Sequence, residues 1–479
     1  MLALVLALAV VVVPGYDLDA DVVGNGHVAF GLLVPDAGPR TSEARARAAL
    51  ERGSVRNSLH GELPEGPPLI RLREATPRSG ARFDGMVVGI PSGGEQANDR
   101  RYLIVAHGRP GEPSLLVSPS TRIPGLVSAV DVAPWALGRE GALRTEPHPD
   151  PLGYLRDLDA RIRDNGVARL PAAALALAVI LVLAALLPAA AVLAFATAAL
   201  ANLLLGVAGV SEPWLTIPAV ALGAAAAAPL WLALRSAVAA GIVLAATLLA
   251  YAAAMAADAT WVALSPLGPT QNARFFGLSN LLATMLLVAA LAGAALLRRR
   301  GGWAAFAAVG ALALVCVGSS RLGADGGGAV VLAAGLAVLA VALAPGRVAA
   351  AVAAGTAALG LALVALDALV GPATHVGRSV RGGPGEVLGD VGDRLSLSWE
   401  RATSTPVHAL LIGTALVVVA LLAVRRPRAP LPLALGAAVA ISLLVNDSPL
   451  EVAVGGAAGV LALTRFAAWE AEARGYNPA

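Results

Sequence analysis

Eight polar residues interrupt or border the apolar runs of this chain, and their types are those that handle phosphate or protons. Asn272 and Arg274 precede one run and Asn280 opens it; Ser320, Arg321 and Asp325 separate two others, and Asn446 and Asp447 separate the last two. Arg274 and Arg321 carry forked guanidinium groups, which grip a phosphate through two parallel hydrogen bonds. Asp325 or Asp447 can serve as a general base, or hold a divalent cation together with Asn carbonyls. The candidate catalytic set is therefore Arg274, Arg321, Asp325 and Asp447. The candidate substrate-binding set is Asn272, Asn280, Ser320 and Asn446. The three glycines at 326–328 allow a backbone or headgroup to approach closely. Each loop alone also suits plain helix capping, since Asn, Asp, Ser and Gly terminate helices. The pattern identifies no cofactor and leaves metal dependence open.

The elements that must position these residues are membrane spans. The chain is 57% hydrophobic and 14% charged, with a mean hydropathy of +0.73, values that belong to membrane proteins. Its character changes near residue 170, where frequent charges give way to Ala, Leu, Val and Gly. Eleven spans are expected, at roughly 171–187, 190–208, 216–233, 236–257, 278–297, 302–318, 327–344, 348–369, 407–424, 430–445 and 449–466. Several are near the lower limit for crossing about 30 Å of hydrocarbon, and the first two are divided only by Pro188. The domain order is then a signal peptide or signal anchor at 1–14, an exported domain at 15–168, a multi-span domain at 169–466 and a cytoplasmic tail at 467–479.

Charge sets the orientation. With alternating spans, Arg235, Arg298–Arg300, Arg347, Arg425, Arg426 and Arg428 all fall on one side, which the positive-inside rule makes cytoplasmic. The loops at 258–277, 319–326, 371–406 and 446–451 then face outward with the exported domain, and the candidate residues share that face. Ionisable groups held near hydrocarbon are costly and are functional candidates by default. In the 371–406 segment, Val387, Leu388, Val391, Leu395 and Trp399 recur at helical spacing, which predicts an amphipathic helix at the outer interface. His375 and His408 near its ends make no metal signature.

The opening MLALVLALAVVVVP is short for a span and has the length of a signal-peptide hydrophobic region, with no basic flank before it. That missing flank places the true start upstream of the present one. The exported part reads as α/β. Short β-branched runs at 28–34, 85–90, 102–107 and 114–118 predict strands, 41–53 a capped helix, and 149–166 an amphipathic helix leading to the membrane. The fold class is thus a mainly α-helical polytopic membrane protein with an N-terminal α/β domain.

Composition excludes several chemistries. All 35 basic residues are Arg, so no Walker A loop and no Schiff-base lysine exists. The net charge of +3 gives no footprint for nucleic acid. Cys316 is the sole cysteine, which removes intramolecular disulfides and cysteine metal clusters. HExxH, CxxC and GxSxG are missing, and GNGHVA at 24–29 is followed by a strand-like run where a dinucleotide fingerprint requires a helix.

The segment LLVSPSTRIPGLVSAVDVAPWALG (115–138) resembles the late part of the alkaline-phosphatase-like superfamily, in which S-T-R-x-x-G-x-V is followed by D-x-A-P and an apolar helix. Ser120, Thr121, Arg122, Gly125, Val127, Asp131, Ala133 and Pro134 carry the match, within about 25 of the 479 residues. Three family features have no counterpart: a first metal-binding Asp after an N-terminal strand, a Ser or Thr nucleophile beside it, and an Asp-His pair ahead of the segment. The resemblance therefore implies a trimmed, metal-free relative. The motifs ARFFGLSN and SRLGADGGG also resemble polytopic proteins of high-GC Gram-positive-type bacteria bearing such a domain, which implies a cell-envelope setting.

Three functions fit these observations. One is action on, or binding of, a lipid-linked or phosphate-bearing glycan or lipid at the outer membrane face. The second is a transporter or flippase for an envelope precursor. The third is a non-catalytic scaffold for envelope-synthesis proteins. Membrane lipid is the expected partner in each, and nucleic acid in none.

Overall fold

The structure is a computed structural model. It describes the chain apart from residues 1–8, 17–27, 38–39, 55–66, 75–84, 108–111, 140–141, 273, 345, 371–383, 426–428, 446–447 and 474–479. Two compact units result, one formed by residues 1–164 and 270–276, the other by 165–269 and 277–479.

The first unit is built on a mixed sheet. Its strands are β1 (Ala9–Pro14), β2 (Val28–Val34), β4 (Leu72–Glu74), β5 (Gly85–Ile90), β7 (Tyr102–His107), β8 (Ser114–Val117), β9 (Leu126–Ser128) and β10 (Arg144–Pro147); β3 (Arg40–Thr41) and β6 (Gln96–Ala97) pair apart. The order is β10-β8-β2-β7-β5-β1-β4, with β9 also on β2. The four strands expected from β-branched runs are β2, β5, β7 and β8. Helix α1 (Glu43–Arg52) starts where the Ser42 side chain accepts from Arg45 N and stops at Gly53, whose φ is +60°. Both ends follow the capping rules. Arg101, just ahead of β7, lies 3.9 Å from Asp159. Burial pulls its guanidinium below the ordinary value, and Asp159 opposes the shift.

Residues 9–14, the described part of the segment expected as a signal peptide or anchor, belong to the sheet. Ala9–Pro14 is an interior strand, parallel to β5 on one side and to β4 on the other. Val10, Val11, Val12 and Val13 are buried on both faces, and a strand covered on both faces reads as an unbroken apolar run. That pattern is what a signal segment also shows. Residues 1–8 lie outside the described part. The first unit therefore starts ahead of residue 15, and it also takes in 270–276.

The second unit is helical. By length and composition, seven helices among the described residues can cross a membrane. They are α3 (Pro151–Leu186), α4 (Pro188–Ala208), α5 with α6 (Pro213–Ala225 and Ala227–Leu234), α7 (Ala237–Ala257), α9 (Asn280–Gly318), α10 (Gly326–Leu343) and α15 (Pro449–Ala473). Shorter apolar stretches lie in α11 (Arg347–Val370), α13 (Pro406–Arg425) and α14 (Pro430–Val445). The short α2 (Val132–Ala136) belongs to the first unit and α8 (Thr260–Ala263) to the second, while α12 (Pro384–Thr403) is the expected amphipathic helix, with Leu395 and Trp399 exposed. The sequence break at Pro188 is a real helix boundary, because Pro opens α4 where its missing N–H costs nothing.

Helix α9 contains two of the expected spans. Its arms meet at Gly302, whose φ of +62° and ψ of −156° are open essentially to glycine alone. The first arm is the core of the unit: Leu282, Leu286, Val288, Leu291 and Leu296 are buried, and α4, α7, α10, α11, α14 and α15 pack against α9. Elsewhere, Asn202 donates to Ser265 Oγ (2.9 Å) and Tyr251 Oη (3.2 Å) and accepts from Leu267 N (2.8 Å). Tyr251 donates onward to Ala199 O. That network satisfies the polar atoms of an otherwise apolar interior.

Candidate functional site

The described residues expected to cooperate form two groups, one in each unit. The first forms where α9 and α10 begin. Ser279 caps α9, accepting from Leu282 N at 3.1 Å while its hydroxyl donates to Leu267 O. Asp325 caps α10 by accepting from Gly328 N at 2.9 Å, and only 2% of it is exposed. A Cβ on Gly328 would stand 2.6 Å from Asp325 Oδ2, so this glycine makes room for the carboxylate. The loops before these helices touch: Leu278 N donates to Gly323 O at 2.9 Å, and a Cβ on Gly277 would lie 2.1 Å from that oxygen. Gly277 also has φ +79°, which favours glycine again.

Beneath these caps is a small cavity of about 20 Å³. Asn280 and Thr284 of α9, Gly328 of α10 and Ser442 of α14 line it among apolar side chains. Asn280 lies just after the first polar loop, Gly328 just after the second, and Ser442 four residues before Asn446 in the third. The helices that flank all three loops thus close on one polar spot. Its size suits one or two water molecules or a small cation, not a glycan.

A charged tie lies at the same loops. Arg169 of α3 donates to Gly268 O and, at 3.2 Å, to Glu451 Oε1, with side chains 10% and 19% exposed. Asn165, one turn earlier, donates to Leu264 O at 2.8 Å. This cluster joins the 258–277 loop to the first turn of α15. Arg169 is not marked by the sequence, because its partner is 282 positions away.

The second group is separate. Asn272 and Arg274 belong to the first unit. Asn272 accepts from the Thr270 hydroxyl at 2.6 Å, and the neighbouring Phe276 ring lies 3.8 Å from the Arg122 guanidinium carbon. Arg274 is half-buried there. Arg321 is exposed and Ser320 half-buried. Asn446 and Asp447 lie outside the described residues.

Arg122 comes from the segment 115–138. Its centre is Asp131, 7% exposed, which accepts from the Ser118 and Ser120 hydroxyls and from Ser120 N. Thr121 donates to Leu126 O at 2.6 Å, and Arg122 adopts φ +57°. Three donors on one carboxylate lock the turn. Asp131 and Thr121 therefore hold the segment's shape, while Arg122 projects onto Phe276. Among the described residues no three His, Cys, Asp or Glu side chains are grouped to hold a metal.

Comparison with protein-family models, with characterised proteins and with solved structures finds no match to this chain. Its function is therefore read from the geometry alone.

Proposed function

We propose that this is an eleven-span protein of a bacterial plasma membrane that binds or acts on a lipid-linked or phosphate-bearing envelope glycan or lipid at the outer face. The observation that carries this reading is the exposed Arg321 guanidinium in the loop between two apolar helices, four residues before the buried Asp325 cap. The span count takes α9 as two crossings and adds α11, α13 and α14. In that orientation the Arg-rich turns are cytoplasmic, and the first unit, a trimmed phosphatase-like domain, faces outward to engage substrate or an envelope-synthesis partner.

The roles follow exposure. Arg321, exposed beside the caps, is the phosphate-gripping group, and Arg274 serves the first unit in the same way. Asp325 is a positioning residue, since its carboxylate is turned into the start of α10. Asp447 keeps the role of base that the sequence gives it. Alanine at Arg321 and at Arg274 should abolish envelope function in a complementation assay while membrane levels stay normal. Normal growth and envelope composition in both variants would overturn the site.

Sidedness has its own test. In a background with Cys316→Ser, an impermeant thiol reagent should label Ser320→Cys in intact cells and leave Arg300→Cys unlabelled. Labelling at position 300 alone would reverse the orientation and place the site in the cytoplasm.

The transporter reading is favoured by one observation, the match of the small cavity at Asn280, Thr284 and Ser442 to a small cation or water. Vectorial uptake of an envelope precursor into vesicles, with no chemical change, selects it. Turnover in detergent selects the first reading.

A further inference from the structure

A second concavity of the helical unit lies away from the polar loops, between the second arm of α9 and α11. It has a volume of about 560 Å³, inside the range of roughly 300–1,000 Å³ typical of small-molecule sites. Ala307 and Ala311 form one wall, and Val348, Gly355 and Leu359 form the other. The one hydroxyl in it belongs to Thr356, which donates back to Val352 O at 3.1 Å and Ala353 O at 2.9 Å. The walls therefore offer an occupant dispersion contacts and no hydrogen bonds. A Cβ on Gly355 would meet nothing within 4 Å, so the space is open where α11 lacks a side chain.

One end of the groove differs. Arg347, the first residue of α11, lines it there and is exposed. No ion pair or hydrogen bond joins its guanidinium to a described residue. The positive end of the α11 dipole lies at the same place. An occupant must therefore be apolar along most of its length and anionic at one end. Basic pockets between membrane helices recognise anionic lipid headgroups in this way, and the long arginine side chain can follow a headgroup at the interface.

We propose that this groove holds an acyl chain of an anionic phospholipid whose headgroup phosphate is gripped by Arg347. Ala307, Ala311 and Gly355 make the concavity by being small, and Arg347 selects the charge. The site is independent of the outer-face reading, because it uses none of the same residues.

Native mass spectrometry of the full chain in detergent, titrated with phosphatidylglycerol and with phosphatidylcholine, tests it. Wild type should retain one phosphatidylglycerol about five- to tenfold more tightly than phosphatidylcholine, the order expected for one basic contact. Arg347→Gln should remove that preference while phosphatidylcholine retention stays unchanged. Gly355→Trp, which fills the groove, should remove tight retention of both lipids. Arg235→Gln, a basic loop residue elsewhere, should bind as wild type. Equal retention of the two lipids by wild type overturns the proposal, as does an Arg347→Gln variant with an unchanged preference. A wild-type dimer that Gly355→Trp makes monomeric, with lipid retention unaltered, overturns it in favour of a contact between copies of the chain.

Discussion

The mature protein is expected to retain Ala9–Pro14, and a chain started at Gly15 is expected to lose the fold of its first unit. Six residues of β1 pair with β5 and three with β4, so its removal leaves both neighbours with an unpaired edge. It also takes Val10 and Val12 out of the core cluster, together with Val11 and Val13 on the opposite face. Burial of one such side chain is worth about 1.5–3 kcal/mol. Four of them approach the whole stability of a domain, about 5–15 kcal/mol. Intact mass of the purified chain reports the N-terminus, and limited proteolysis in the membrane reports the first unit. A mature chain beginning at or beyond residue 15 whose first unit still resists protease would show that β1 is dispensable.

Glu451→Ala is expected to destabilise the helical unit by about 3–5 kcal/mol, the cost of stranding a buried partner charge. Its removal leaves the Arg169 guanidinium, 10% exposed, with Gly268 O as its neutral partner. Replacing both residues by leucine should recover most of the loss, because an apolar pair of similar volume needs no desolvation. The Arg299–Glu470 pair is the internal comparison. Its Arg is 34% exposed, and its removal should cost less than about 1 kcal/mol. Thermal unfolding of wild type and the three variants in one detergent separates these cases. Equal effects from Glu451→Ala and Glu470→Ala would show that burial does not govern the Arg169 tie.

What the sequence reveals and conceals follows from the range of each interaction. The runs at 28–34, 85–90, 102–107 and 114–118 are strands in the structure because β-branched residues between turn formers act locally. The Ser42 and Gly53 caps of α1 are equally local. Residues 9–14 are ambiguous in sequence because an interior strand and a signal segment are both unbroken apolar runs. The available clue is composition, since Leu dominates residues 2–7 and Val residues 10–13. Asp325 stands out as a charge between apolar runs, yet its position as a cap depends on Gly328 N and emerges only with the helix. Arg169 could not be paired with Glu451 from sequence, and Thr284 and Ser442 lie inside apolar helices where nothing distinguishes them from helix-compatible hydroxyls. Arg274 and Arg321 were grouped by loop order. Arg274 belongs to the first unit through 270–276, and Arg321 to the second.

The enclosure of the first arm of α9 constrains how any cargo can pass. An 18-residue window of this helix is 89% buried within the protein, so neighbouring helices occupy the positions from which it could face water. A helix enclosed in this way cannot line an aqueous conduit, and opening one along it would require stripping Leu282, Leu286 and Leu291 of their contacts. That opening would expose apolar surface at about 25 cal/mol per Å². On the transporter reading, movement of a lipid or precursor would be directed to the perimeter of the bundle, where a headgroup can slide along a helix flank while its tails stay in the bilayer.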